Sequence, residues 1–329
     1  MAGRRRKKSG GRSYAWRYRG RIVACVFVEV IIICALVIMI GWNKGVKEWF
    51  EQFEQPVLKE VDISGINSPN AILMQVRGGK ILGEINGEAQ IYPASMTKIM
   101  TVILGIENFD DLDEKITLTN EMFSGLYEQD ATQAGFQPGE EVRVIDLLYG
   151  AMLPSGAECC IALADTISGS EADFAELMNK KARKLGMENT HFCDSTGLHN
   201  PDHYSTVKDI AVLMKYCIKN DTFREIVETS RHSTGVTNIH PDGITYYSTM
   251  FKNLSDPTVT GGKILGGKTG YTSEAGHCLV SFAEIEGREY IFVSAGASGA
   301  DGNTIPHIQD AVTVYNRVGA AIEEKMNDN

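Results

Sequence analysis

The sequence predicts an α+β fold: an antiparallel β-sheet flanked by helices, with a helical subdomain inserted between its strands and one transmembrane helix before it. Three observations carry this. Strand signals occur early and late in the chain, helix signals fill the middle, and both strand regions carry hairpin turns. Ala71 to Val76 and Ile81 to Ile85 flank Gly78-Gly79-Lys80, which reads as a β-hairpin. Late in the chain, 259–271, 278–285 and 289–295 read as strands, the last two joined by Glu286-Gly287-Arg288.

Between them the apolar spacing turns helical. A helix is predicted to open at Pro93-Ala94-Ser95 and run to about Asn108. Helical periodicity follows over 145–153, 157–168, 171–185 (stopped by Gly186) and 206–218, and a closing helix spans 305–323. Ser205 or Thr206 caps the helix over 206–218, with Asp209 in its first turn.

The N-terminus has its own logic. Residues 1–21 hold nine Lys or Arg and no acid, leaving 23 basic against 42 acidic residues in the rest of the chain. A body at −19 excludes nucleic acid as a partner. Residues 22–42 are almost wholly apolar, long enough to cross a bilayer, with Glu29 as the only charge. Basic residues before the span keep the N-terminus in the cytoplasm and place the rest of the chain outside. The run is long for a cleaved signal peptide and has no clear small-residue cleavage site, so the reading is an uncleaved, single-pass anchor in the cell membrane. Domain limits follow: a basic tail at 1–21, the anchor at 22–42, a stalk at 43–64 and a catalytic domain at 65–325.

Five cysteines fall outside the span, an odd number with no C-x-x-C pair. That excludes a disulfide framework and a zinc ribbon. No H-E-x-x-H occurs, and His199 and His203 flank Pro201, which breaks a helix. Neither a metal nor any other cofactor is expected.

Three short motifs carry chemistry. In Ser95-Met96-Thr97-Lys98, residues three apart share a helix face, so Lys98 reaches the Ser95 hydroxyl. The helix dipole and a second nearby cation would oppose the charge on Lys98, and a neutral Lys98 could take the Ser95 proton. Lys268-Thr269-Gly270 lies in strand context, where Lys268 supplies that second cation and Gly270 lets a peptide backbone approach. Both side chains serve one site only if the strand twists or ends there. Ser155, in the loop Leu153-Pro154-Ser155-Gly156-Ala157, can relay a proton or simply cap a helix.

Each motif alone is weak. Together, in this order, they resemble the S-x-x-K, S-x-N and K-T-G set of the penicillin-binding and serine β-lactamase superfamily. The likeness extends to low-molecular-mass D-alanyl-D-alanine carboxypeptidases through Pro93 to Thr101, Leu153 to Ala157, Phe174 to Asn179, Leu185-Gly186-Met187, Gly197-Leu198, Tyr204-Ser205-Thr206 and Gly267 to Thr272. This resemblance covers about residues 65–318. It implies Ser95 as nucleophile, Lys98 as base and Ser155 as proton relay. It also implies an oxyanion hole from the backbone N–H groups of Ser95 and Tyr271, with Lys268, Thr269 and Gly270 at the substrate. The implied substrate is a peptidoglycan stem peptide ending in D-Ala-D-Ala, and β-lactams would acylate Ser95. The relatives often carry a C-terminal β-domain with an amphipathic anchor, so the expectation is that anchoring lies at the N-terminus here.

Two departures stand out. Ala157 occupies the position of the second motif's Asn, and 295–299 holds no Arg where some relatives use one for the carboxylate. Three rivals follow. A class A-like β-lactamase needs a deacylating Glu, and Glu176 is read as a surface residue. A metallopeptidase lacks its motif. A catalytically silent wall-binding protein of the same fold draws its support from Ala157.

Overall fold

The computed structural model describes residues 58–254, 256–299 and 305–328. The segments 1–21, 22–42 and most of the expected stalk lie outside the described residues. Among the described residues no helix is long and apolar enough to cross a membrane.

Six antiparallel strands form the central sheet in the order β2-β1-β10-β9-β8-β7. The early hairpin is β1 (Asn70–Gln75) and β2 (Lys80–Ile85). The late strands are β8 (Gly262–Thr272), β9 (Gly276–Ile285) and β10 (Arg288–Ala297). β1 pairs with β10, so strands from the two ends of the domain meet and everything between is inserted. The strand predicted over 259–271 is two: Thr260-Gly261 turns the chain between β7 (Thr258–Val259) and β8, with Gly261 at φ +73°.

Both sheet faces are covered. Ile72, Met74, Val280, Phe282, Ile291 and Val293 enter one core; Ala71, Leu73, Leu279, Ala283, Tyr290 and Phe292 enter the other. Alternation along each strand assigns side chains to the two layers. The first core is shared with the inserted helices: α1 (Lys98–Asn108), α2 (Val144–Met152), α3 (Ala157–Ser168), α4 (Glu171–Leu185), α5 (Val207–Cys217) and α6 (Asp221–Glu228). Gly186 ends α4 in the left-handed region, and the Thr206 hydroxyl caps α5 by accepting from Asp209 N, as their sequence signals require. A short α7 (Thr249–Asn253) precedes β7, and the closing helix α8 (Pro306–Asn327) packs on the second face. Two small ribbons complete the fold: β3 (Lys115–Thr117) with β4 (Glu141–Arg143), and β5 (Arg231–Ser233) with β6 (Thr245–Tyr247).

The stalk boundary needs correcting. Leu58, Val61 and Ile63 are buried in the second core, Val61 N donates to Leu82 O at 2.8 Å, and Arg317 donates to the carbonyls of Asp62 and Ser64. Residues 58–64 thus belong to the domain.

Tyr315 on α8 joins the helix to the sheet. Its hydroxyl accepts from Phe292 N at 3.0 Å and meets Ser281 Oγ at 3.1 Å, all in the dry interior. Tyr315→Phe keeps the ring and removes the acceptor. A lost interior hydrogen bond costs about 0.5–1.5 kcal/mol net, so urea unfolding of this variant is expected to show a stability loss of that size.

Candidate active site

The first motif does not open directly as an α-helix. Ala94–Thr97 form a 3-10 turn, and α1 begins at Lys98. Ala94 sits at φ +46° and Ser155, in the second motif, at φ +73°. Such backbone costs roughly 1–3 kcal/mol at a non-glycine residue and persists only where the surroundings enforce it. At Ala94 two glycines leave the room for it. A Cβ on Gly197, itself at φ +80°, would lie 1.9 Å from Ala94 O, and one on Gly270 would lie 2.9 Å from Ser95 N. The glycine of the third motif therefore admits the nucleophile's own turn, whereas the sequence reading assigned that space to substrate.

The three motifs converge. Lys98 Nζ donates to Ser95 Oγ at 2.9 Å and to Thr196 O at 2.7 Å. Lys268 Nζ donates to Ser155 Oγ at 3.0 Å and to Thr269 O at 2.8 Å. Ser95, Ser155, Thr269, Gly270 and Tyr271 line one open cleft with Thr132, His199, Thr249 and Asn253. Lys98 and Lys268 lie beneath its wall, 4% and 1% exposed.

Burial pushes Lys98 below its ordinary value of 10.5, against the opposing pull of Cys160, Asp194, Glu158 and Cys159. Burial, followed by the charge of Lys98, pushes Lys268 well below the same value. The sequence reading credited the helix dipole and a second cation; desolvation is the larger cause.

Lys268 and Thr269 divide their work as alternate strand residues do. β8 stays regularly paired with β9 through Thr272↔Gly276, so it neither ends nor breaks at the motif. Lys268 turns inward under Ser155, and Thr269 meets Thr249 Oγ1 at 2.7 Å on the cleft wall. A carboxylate in the cleft would reach these hydroxyls before the buried ammonium. Ser155 takes its hydrogen bond from Lys268, and among the described residues none joins it to Lys98. Tyr271 is 60% exposed, its ring against His277 at 4.7 Å.

Ala157 starts α3, fully buried, with its N–H on Thr132 O at 2.8 Å. The next residue, Glu158, is buried and its Oε1 accepts from Ala134 N and Gly135 N, while Oε2 has no hydrogen-bond partner among the described residues. Burial raises its carboxyl, against the opposing backbone donors. Through these contacts α3 fixes the segment that brings Gln129, Asp130 and Thr132 to the cleft.

Sequence reasoning missed Thr249, Thr132, Glu158, Thr196, Asp194 and His203. Of these, Glu158, Thr196 and His203 adjoined quoted motifs, the Leu153 to Ala157, Gly197-Leu198 and Tyr204-Ser205-Thr206 segments. Glu176 is exposed and borders a separate depression with Asn108 and Arg183. Among the described residues no cluster of His, Cys, Asp or Glu could hold a metal, and all five cysteines are free.

Fold and side-chain arrangement together define an active-site-serine class of protein, with one serine on Lys98 and a second on Lys268. The model of the D-alanyl-D-alanine carboxypeptidase family matches residues 57–299. The chain belongs to this family. It is 35% identical over 231 residues to the D-alanyl-D-alanine carboxypeptidase DacF of Bacillus subtilis, covering 70% of this chain and 57% of that one. It is 33% identical over 262 residues to DacC of Escherichia coli, covering 72% and 58%. The chain thus spans less than two thirds of these relatives' length. The crystal structure of the Streptomyces K15 DD-transpeptidase aligns at a TM-score of 0.71 and 30% identity, over 79% of this chain and all of that one.

Gly197 generates a sharp expectation. A Cβ there meets main chain, which cannot swing aside. Gly197→Ala should displace Ala94 and Ser95, and misplacement by about 1 Å costs on the order of 100-fold in rate. Timed labelling with a fluorescent penicillin checks this, with the wild type as reference.

Proposed function

We propose that this protein is a serine D-alanyl-D-alanine carboxypeptidase that removes the terminal D-Ala from peptidoglycan stem pentapeptides through an acyl-enzyme on Ser95. The observation that carries the reading is the 2.9 Å contact between Ser95 Oγ and the buried Lys98 Nζ. Family membership supports it, as does the name D-alanyl-D-alanine carboxypeptidase borne by several relatives.

The family resemblance and the contacts of Lys98 and Lys268 support the following steps. Neutral Lys98 accepts the Ser95 proton as Oγ attacks the carbonyl between the two D-alanines. The backbone N–H groups of Ser95 and Tyr271 stabilise the negative oxygen of the tetrahedral intermediate. Ser155, hydrogen-bonded to Lys268, gives its hydroxyl proton to the departing D-Ala amine and takes in its place the proton that Lys98 received from Ser95. Thr269, with Thr249 beside it, holds the terminal carboxylate, and Lys268 acts through Ser155 and the Thr269 carbonyl. Water then hydrolyses the ester. A β-lactam meets the same nucleophile, but its amine stays tethered, so the adduct lasts.

The β-lactamase reading is weaker because Glu176 is exposed beside another depression. The silent-protein reading has only Ala157 behind it, against the assembled Ser95, Lys98, Ser155 and Lys268. For the cell, we propose a single-pass membrane protein held by 22–42, with its catalytic domain facing the wall.

Incubation of the protein with a pentapeptide ending in D-Ala-D-Ala, followed by mass spectrometry, is expected to show loss of one alanine. Ser95→Ala should abolish that loss. An intact peptide after incubation with wild type would refute the assignment. A D-amino acid added as acceptor distinguishes hydrolysis from the transfer named for the Streptomyces K15 protein.

A further inference from the structure

A lysine that serves as base needs more than a lowered pKa. Its neutral amine has two N–H bonds and one lone pair, and the lone pair must face the Ser95 hydroxyl. A backbone carbonyl can only accept, so a carbonyl next to Nζ pins an N–H and turns the lone pair elsewhere. Thr196 O, 2.7 Å from Lys98 Nζ, is placed to do this. What holds Thr196 decides whether the amine is aimed.

Asp194 holds it from one side. Its Oδ1 accepts from Thr196 N, Thr196 Oγ1 and Gly197 N, each at 2.7 Å. His203 holds it from the other. Its Nδ1 lies 3.0 Å from Asp194 Oδ2, and its Nε2 lies 2.9 Å from Thr97 Oγ1, on the residue before Lys98. Cys193 N also approaches Nδ1, at 3.3 Å. The carboxylate is closer and only accepts, so we assign a proton to Nδ1, while Nε2 pairs with the Thr97 hydroxyl. His203 is 2% exposed, and its ring bridges the loop that receives Lys98 to the turn that carries it.

We propose that Asp194 and His203 are positioning residues for Lys98, a clamp that fixes the Thr196 carbonyl against Nζ so that the amine's lone pair faces Ser95. The inference rests on the acyl-enzyme reading above. Neither residue touches substrate; both act through Thr196 and Thr97.

The acid side of the pH profile separates this role from mere support of the fold. Lys98 is faced by Asp194 from the loop, by Glu158, Cys159 and Cys160 from α3, and by Lys268 from β8. The Asp194 carboxyl is pushed up by burial, but hydrogen bonds and charge from His203, with the Thr196 donors, more than offset this and hold it down to about 2. It is therefore an anion wherever the enzyme works, and it favours the charged form of Lys98.

The experiment is the rate constant for acylation of Ser95 by a fluorescent penicillin, followed against pH in wild type, Asp194→Asn and His203→Gln. Burst amplitude counts the folded, reactive fraction. Asn keeps an oxygen for the loop donors but loses the charge and turns an amide N–H2 towards His203. In D194N the acid limb should move to lower pH and the plateau fall about 10- to 100-fold. In H203Q the plateau should fall similarly without a comparable shift of the limb. Plateau and limb equal to wild type in the reactive fraction would overturn the proposal, since a structural role changes only amplitude and melting temperature. Where D194N and H203Q fail to fold, Thr97→Val and Thr97→Ser carry the test. The plateau should fall in T97V and largely recover in T97S; equal plateaux would overturn the clamp. A wild type that takes up no penicillin would overturn the parent reading and this inference with it. A reacting wild type matched by its variants would overturn this inference alone.

Discussion

Two ammonium groups are held out of water beneath one cleft, and much of the centre of this molecule is arranged around that cost. Removing a charged lysine from water costs several kcal/mol even after relaxation, and a buried lysine escapes the cost by losing its proton. Lys98 and Lys268 are almost wholly covered, and burial is the leading cause of both depressions. Their polar contacts are two carbonyls and two serines, Thr196 O with Ser95 and Thr269 O with Ser155. Each serine of the site is thus coupled to its own hidden lysine, and only the hydroxyls reach the cleft.

The fold supplies that burial through its connectivity. β8 brings Lys268 from the sheet, α1 brings Lys98 from the inserted region, and α3 lies behind both with Cys159 and Cys160. Because β1 pairs with β10, the sheet closes across the insertion and holds the helical region against one face. The nucleophile's turn is then pressed between Gly197 and Gly270, one from the inserted region and one from the sheet, with no space for a side chain at either. Strain at Ala94 is the local cost of that meeting.

Much of this was legible in the sequence. Apolar periodicity located the hairpin, six helices and the late strands because each buries one stripe or alternates between two cores. The order of S-x-x-K, Ser155 and K-T-G pointed to one site because each motif alone has an ordinary explanation and the set does not. The segment 58–64 read as stalk because only Val61 and Ile63 alternate there, and nothing local signals that Arg317 will tether it. The direction of Lys268 was open because a strand residue can face either core. Asp194 and His203 were invisible as a pair: they are nine residues apart, in irregular backbone, and only tertiary packing joins them to Thr97. The helix α6 spans only eight residues and each strand of the two small ribbons only three, too short to stand out from turn sequence.

Direct titration of the Lys98 side chain tests the central claim, that burial makes it a base. Nitrogen-15 NMR of Nζ, assigned by comparison with Lys98→Arg, would follow its protonation as pH rises. The account predicts an apparent pKa below the ordinary 10.5, from a group that is neutral while Ser95 is most reactive. A Lys98 that titrates at or above 10.5 would contradict it.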